Sequence, residues 1–417
     1  MMLERACALA LVAVVVLPGT GSATAAAGRV LAVGPGARYA TPQAAADVVR
    51  PGDTVAIAAG TYPGGLTIRT DGTPRRPITF TGVGGPAVIT GAGGPDGLLA
   101  VGNHSWQRFL NLAVSGSRGF GAHANGGHDL EFGGFTVDGS RDGGLVLVGT
   151  SRVSVHSCDI HGTNARGTSA DHEALSIASG SRDVEVRHCR VHDNGEEGID
   201  VKYTDHARVK IHDNVVTDNR GPNIYVDSAT SVDVYNNVVS GAENSTKAGI
   251  ALAVEDYSTT RRLAEVRVFN NVSTGNAQAG LSLWVESTGT MSDVQIVNNT
   301  FAGNRLGAVV IDADRFRGHN VLRNNIFAEG PVDTGPFISD HNMTGDPGFA
   351  DPAGGDFHLT AGSPAVDAGS PRLAPAFDLD GTPRPAGAGH DVGAYELGGT
   401  TTRPGLGLRR PGCAGRS

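Results

Sequence analysis

VDVYNNVVSG (232–241), VRVFNNVSTG (266–275) and VQIVNNTFAG (294–303) are three copies of one pattern. Each alternates apolar and polar residues, then places an Asn and a second short apolar run. Strict alternation over about five residues reads as a half-buried strand. Upstream the same frame continues as VSVHSCDIHG (153–162), VEVRHCRVHD (184–193) and VKIHDNVVTD (209–218). A second series is interleaved with it: GLVLV (144–148), ALSIA (174–178), GIDVK (198–202), NIYVD (223–227), GIALA (249–253), GLSLW (280–284) and GAVVI (307–311). Units of two or three short strands repeating at about this length stack as the coils of a solenoid. One column of the first series reads Leu112, Phe135, Cys158, Cys189, Asn214, Asn237, Asn271, Asn299, Asn325. An apolar column that turns into asparagine is expected to face inward at a bend. There, stacked amides hydrogen-bond from coil to coil.

The bulk numbers agree. With 61 glycines and only 5% aromatic residues in 417, turns and small side chains dominate, which favours an all-β chain. A net charge of −9 and the lack of a basic stripe argue against nucleic acid. An acidic ligand would need a bridging cation. At the N-terminus Arg5 precedes the apolar run ALALVAVVVL, and GSATAAAG follows with small-residue cleavage sites. Residues 1–27 therefore read as a secretory signal peptide, too short to span a membrane, and the mature chain is expected to be extracellular. Cys158, Cys189 and Cys413 do not form a disulfide framework. The sequence leaves a Cys158–Cys189 bond open.

The repeats resemble the right-handed parallel β-helix over roughly residues 50–345. The fold class expected is therefore all-β: a single-stranded right-handed parallel β-helix, one domain over 28–396. RYATPQAAADVVRPGDTVAIAAGTY, within about 38–62, looks like the cap of such proteins. Thr41 is placed to N-cap a short helix, Pro42 suits its first position, and the helix would cover the first coil's open edge. Residues of about 340–396 look like the closing segment, and 397–417 read as a disordered tail.

Alternation in GIDVK points Ile199 and Val201 inward and Asp200 and Lys202 outward. Carried through the repeats, one outward column is Val146, Ser176, Asp200, Tyr225, Ala251, Ser282, Val309. The other is Val148, Ala178, Lys202, Asp227, Ala253, Trp284, Ile311. With coils about 4.8 Å apart, Asp200, Lys202, Tyr225 and Asp227 form a two-by-two patch. Glu196 and Glu197 begin the same strand, His172 and Glu173 lie one coil earlier, and Asp171 and Glu255 stand at the margins. Each like-charge pair at about 5 Å costs about 3 kcal/mol at an effective dielectric near 20. One lysine does not offset so many carboxylates. A divalent cation would, and hard oxygen donors select Ca²⁺. Glu173, Glu196, Glu197 and Asp200 are the expected ligands, with Asp171 at the edge.

Glu196, Glu197 and Asp200 also resemble the calcium motif of the family-9 pectate lyases: two neighbouring acids, an aspartate three residues later, and an acid one coil earlier, here Glu173 or His172. Glu replaces Asp at the first two positions. The resemblance implies a catalytic lysine further downstream, where Lys247 is the nearest. The outward columns favour Lys202 instead.

This chemistry suits a secreted polysaccharide lyase. The cation neutralises a uronate carboxylate, Lys202 removes the C5 proton, Tyr225 donates to O4 or orients the sugar, and Asp227 completes the catalytic patch. Trp284 offers a stacking surface, and Lys247, Glu255 and His172 are further substrate contacts. Three other functions remain open. One is a glycoside hydrolase using Asp200 and Asp227. Another is a uronate C5-epimerase, and the third is a non-catalytic glycan-binding solenoid. An acidic polysaccharide is the expected partner and a monomer the expected state. His156, His161, His188, His192 and His212 read as turn residues.

Overall fold

A computed structural model describes residues 28–312 and 314–398. The expected signal peptide, Cys413 and nearly all of the expected tail lie outside these residues. Each coil is built from three short strands. In one coil they are Leu175–Ala178, Arg182–Arg187 and Arg190–His192. Strands equivalent to the first form a ten-stranded parallel sheet, and the other two series merge into a twenty-five-stranded one. The sheets enclose one long apolar core containing Phe80, Phe109 and Phe132 and a valine or isoleucine from nearly every coil. The chain is thus a single-stranded parallel β-helix.

The corner between the second and third strands explains the doubled polar residues of the repeat. Ser157, His188, Asp213, Asn236, Asn270, Asn298 and Asn324 each adopt a positive φ between 52° and 56°. Asn and Asp tolerate this left-handed region best among non-glycine residues. The residue that follows each corner points inward. Asn214, Asn237, Asn271, Asn299 and Asn325 form the expected ladder, and Asn342 extends it. Each side-chain amide donates to the next carbonyl oxygen at 2.9–3.0 Å. Each also donates to a main-chain carbonyl left free by the bend, as Asn271 Nδ2 does to Val234 O at 2.9 Å. Cys158 and Cys189 precede the ladder as buried free thiols, with Cys158 N donating to Cys189 Sγ at 3.4 Å. No disulfide joins them.

Other features were not anticipated. A second polar ladder runs near the start of the site sheet: Thr163 to Asn194 (2.8 Å), Asn194 to Asn219 (2.8 Å) and Asn276 to Asn304 (2.8 Å). A strand, Val30–Val33, precedes the cap and pairs in parallel with Thr54–Ile57. The cap helix is Pro42–Ala46, with Thr41 Oγ1 accepting from Ala44 N at 3.2 Å as the sequence suggests. The closing segment folds back along the side of the solenoid. Phe357, Leu379, Ala394 and Tyr395 pack on the outward Val238, Val272 and Ala302, and a fully buried ion pair, Arg384–Glu396 at 2.6 Å, holds it together. Of the five histidines read as turn residues, only His188 sits at a corner. His156, His161, His192 and His212 end strands, where alternation turns them outward.

Candidate functional site

The ten-stranded sheet sets the site. Ile199–Lys202 pairs with Ile224–Asp227 so that Asp200 faces Tyr225 and Lys202 faces Asp227. On one side lie Ser176 and Ala178, and on the other Ala251 and Ala253, followed by Ser282 and Trp284. Both outward columns therefore hold over these coils. The last coil differs from expectation. Ser282 faces Val310 and Trp284 faces Asp312, while Val309 and Ile311 take the inward register. Aligning Gly280 with Gly307 caused the slip, because Gly307 actually pairs with Ala279. A one-residue shift exchanges the two faces of a strand.

Lys202 Nζ lies 2.5 Å from Glu173 Oε1 and 3.8 Å from Asp200 Oδ2. The Lys202 and Glu173 side chains are 12% and 14% exposed. Asp200 and Asp227 are almost completely buried, so only the tips of the cluster reach solvent. Burial favours the neutral amine of Lys202, but Glu173 and Asp200 outweigh it and push the lysine well above its ordinary range. Burial likewise opposes the charge of Glu173, and the Lys202 ammonium overcomes it to hold that carboxyl low. The neighbouring acids are compensated less: Lys202 reaches Asp200 only at 3.8 Å. Burial, then the charges of Glu173 and Glu196, push Glu197 up to about 7. Burial and Glu173 hold Asp200 well above the carboxylate range. Burial and the charge of Glu255 push Asp227 up to about 8.

Glu255 is more central than its marginal place in the sequence implied. It accepts from Tyr225 Oη at 2.6 Å and from Tyr203 Oη at 3.1 Å. Ser228 links it to Asp227: Ser228 Oγ donates to Asp227 Oδ1 at 2.7 Å and accepts from Glu255 N at 3.0 Å. Tyr203 and Ser228 were missed as site residues. Both have positive φ, 56° and 48°, at the turn after their strands. That turn brings the Tyr203 ring to 5.9 Å from Lys202 Nζ, a placement that period-two alternation does not reach. Burial, reinforced by Asp227 and Glu255, keeps both tyrosines protonated.

The remaining expected residues divide. Tyr225 and Trp284 stack at 5.6 Å over the small floor of Ala251 and Ala253, and Lys247 Nζ lies 5.8 Å from the Trp284 ring centre. His172 is half-buried, with Nδ1 3.1 Å from Ser176 Oγ; burial and the Lys202 charge lower its pKa. Glu196 is held by Arg220 at 3.0 Å, a partner the sequence did not suggest. Asp171 is exposed, and its ion-pair contact is Arg166 at 3.9 Å, so it stands apart from the cluster.

Two oxygens bear on a cation: Glu173 Oε2 and Asp200 Oδ1 are buried with no hydrogen-bond partner. An orphaned buried acceptor costs about 1–3 kcal/mol. These are hard donors in a group of carboxyls that one lysine only partly offsets, which is the chemistry a calcium ion takes. As the side chains stand, no three His, Cys, Asp or Glu among the described residues are gathered closely enough to hold a metal. The donor type and the orphaned atoms fit a cation, and side-chain movement would be needed to complete its shell.

A cleft of about 480 Å³ lies elsewhere, against Trp106, Arg108, Asp129 and Arg152. Its charges neutralise one another, as in Arg152–Asp129 at 2.7 Å and Arg108–Glu131 at 3.1 Å. The face around Lys202, with its displaced pKa values and convergent polar groups, is the stronger candidate.

A family model described as "Right handed beta helix region" matches residues 89–239 and 180–301, together a little over half of the chain. A search of curated proteins finds no match. Among solved structures, the pectate lyase Pel9A is 16% identical with a TM-score of 0.50, covering 89% of this chain and 96% of its own. The Azotobacter vinelandii mannuronan C-5 epimerase AlgE4 A-module is 15% identical with a TM-score of 0.41, covering 72% and 94%. The GH136 lacto-N-biosidase from Eubacterium ramulus is 11% identical with a TM-score of 0.42, covering 76% and 68%. At these identities the likeness speaks for the fold.

Proposed function

The chain belongs to the right-handed β-helix family, and from that premise we propose that the face around Lys202 is the active site of a secreted enzyme that cleaves a uronate-containing polysaccharide by β-elimination. The observation that carries this reading is the composition of the site. A single lysine, two tyrosines and five acids converge where the coils present one flat face, and several of the acids lack compensating charge. Stability alone does not account for gathering them.

Glu173, Glu197 and Asp200 are the residues that would hold Ca²⁺, using the two orphaned oxygens. When bound, the ion supplies Lewis-acid neutralisation of the sugar carboxylate, which acidifies the C5 proton. Lys202 removes that proton once Glu173 no longer holds it as an ammonium; while the ion pair stands, the lysine is a poor base. The C5–H electron pair forms the C4–C5 double bond as the C4–O4 bond breaks. Tyr225 Oη, already poised by Glu255, gives O4 its proton. Proton return from Lys202 to the phenolate restores both groups. Trp284 lies three coils from Lys202, and Lys247 precedes the strand two coils from it; they offer a stacking surface and a positive charge to a neighbouring sugar.

The hydrolase alternative gains less from the structure. Asp200 and Asp227 are diagonal in register rather than stacked. Asp227 is instead linked to Glu255 through Ser228, and Glu255 is occupied by the two phenols, so neither acid faces Asp200 as a second catalytic carboxyl. The test is absorbance near 235 nm over a panel of polyuronates, with and without EDTA. A rise that EDTA abolishes supports the proposal. Reducing ends without that absorbance would mean hydrolysis instead.

A further inference from the structure

Lys202 and the two phenols stand on the same side of any sugar that lies on this face. Lys202 and Tyr225 project outward from paired strands of one sheet. Tyr203 follows Lys202 directly, its ring 5.9 Å from Lys202 Nζ. Both hydroxyls converge on the two oxygens of Glu255, at 3.1 and 2.6 Å, so they form a single focus of proton donors. The groups that could serve the other side of the ring are committed elsewhere. Arg220 Nη1 bonds both oxygens of Glu196, at 3.1 and 3.0 Å. His172 Nδ1 is 3.1 Å from Ser176 Oγ, and Lys247 lies over Trp284.

We infer that the site eliminates in the syn sense and therefore takes uronans whose C5–H and C4–O4 bonds lie on one face of the ring. This rests on the elimination proposed above. In manno- and gluco-configured uronates the two bonds share a face. In galacto- and L-gulo-configured uronates they lie on opposite faces, and a base and acid placed together do not reach both. The step balances. Lys202 takes H5, the C5–H pair becomes the π bond, and the C4–O4 pair leaves with the oxygen. O4 then takes the proton of Tyr225 or Tyr203. The same placement disfavours epimerisation, which must return a proton to C5 from the far face.

Four defined substrates test this: polymannuronate, polyglucuronate, polygalacturonate and polyguluronate, each followed at 235 nm with the full-length protein. The inference expects one or both of the first two to be cleaved at least about 100-fold faster than the last two, the scale of a correctly placed general acid. Tyr225→Phe and Tyr203→Phe, assayed separately, should show which phenol donates, with kcat falling and KM nearly unchanged. If either variant misfolds, Glu255→Gln provides the second route and should lower kcat by releasing both phenols. Faster cleavage of polygalacturonate or polyguluronate would overturn the syn assignment while leaving elimination intact. A C5-inverted polymer, seen by proton NMR without absorbance, would overturn it as well. No reaction with any of the four would overturn the elimination reading itself, and the inference with it.

Discussion

Replacing Glu197 with Gln should stabilise the protein at pH 8 and leave it unchanged at pH 4. Burial and two neighbouring acids push Glu197 from 4.5 up to about 7. Its folded-state pKa is thus raised, so between these values the folded state holds a proton that the unfolded chain has lost. Stability falls as pH rises through that interval. At 1.36 kcal/mol per unit, the loss is about 3 kcal/mol once both states are ionised. Gln carries no charge in either state and escapes it. Guanidinium denaturation of wild type and Glu197→Gln in EDTA at pH 4, 6 and 8 measures the effect. The two curves should coincide at pH 4 and separate progressively, with the variant more stable by about 3 kcal/mol at pH 8. Added Ca²⁺ should bring the wild type back towards the variant. Equal stability at pH 8, or a less stable variant, would refute the claim that this face carries uncompensated negative charge.

Three further outcomes follow from the geometry. Glu173→Gln leaves Lys202 without its 2.5 Å partner and should cost about 3–5 kcal/mol of stability near neutral pH, read by the same denaturation. Asn271→Leu removes the amide that serves Val234 O and Asn299 Oδ1 and the oxygen that accepts from Asn237. Orphaning those buried groups should cost at least about 3 kcal/mol, and loss of cooperative unfolding is the other sign to expect. Trp284→Ala should raise KM for long substrates and lower kcat only modestly, because the ring stacks on Tyr225 at 5.6 Å while the 2.6 Å bond to Glu255 still holds that phenol; a kcat loss of tenfold or more would place it in the chemistry.

Alternation and one repeated column were enough to place Asp200, Lys202, Tyr225 and Asp227 together, because strand register in a solenoid propagates from coil to coil. What escaped the sequence lies in the turns. Tyr203 and Ser228 reach the cluster through left-handed φ values, and nothing in a period-two pattern reports them. Arg220 meets Glu196 across a loop whose path depends on packing. The second ladder was legible, since its members sit five residues after the first column, as in Asn214/Asn219, Asn271/Asn276 and Asn299/Asn304, but Thr163 and Ala242 interrupt the run of asparagine. The slip at the last coil has a local cause: two glycines looked equivalent, but Gly307 pairs with Ala279, one residue before Gly280 in the same strand. The closing segment was recognised, but its course along the coils depends on apolar contacts with outward Val238, Val272 and Ala302. Short strands with valine on both faces do not announce which side is covered.

The central claim is that Lys202 does chemistry rather than hold the sheet together. The direct measurement is turnover of Lys202→Ala at 235 nm on a polyuronate the wild type cleaves, with Lys247→Ala as the paired variant. The account predicts that Lys202→Ala lowers kcat by the 10²–10⁴-fold typical of a lost general base, while Lys247→Ala alters chiefly KM. Full activity in Lys202→Ala, with the loss appearing in Lys247→Ala, would contradict it and assign the base to the downstream lysine.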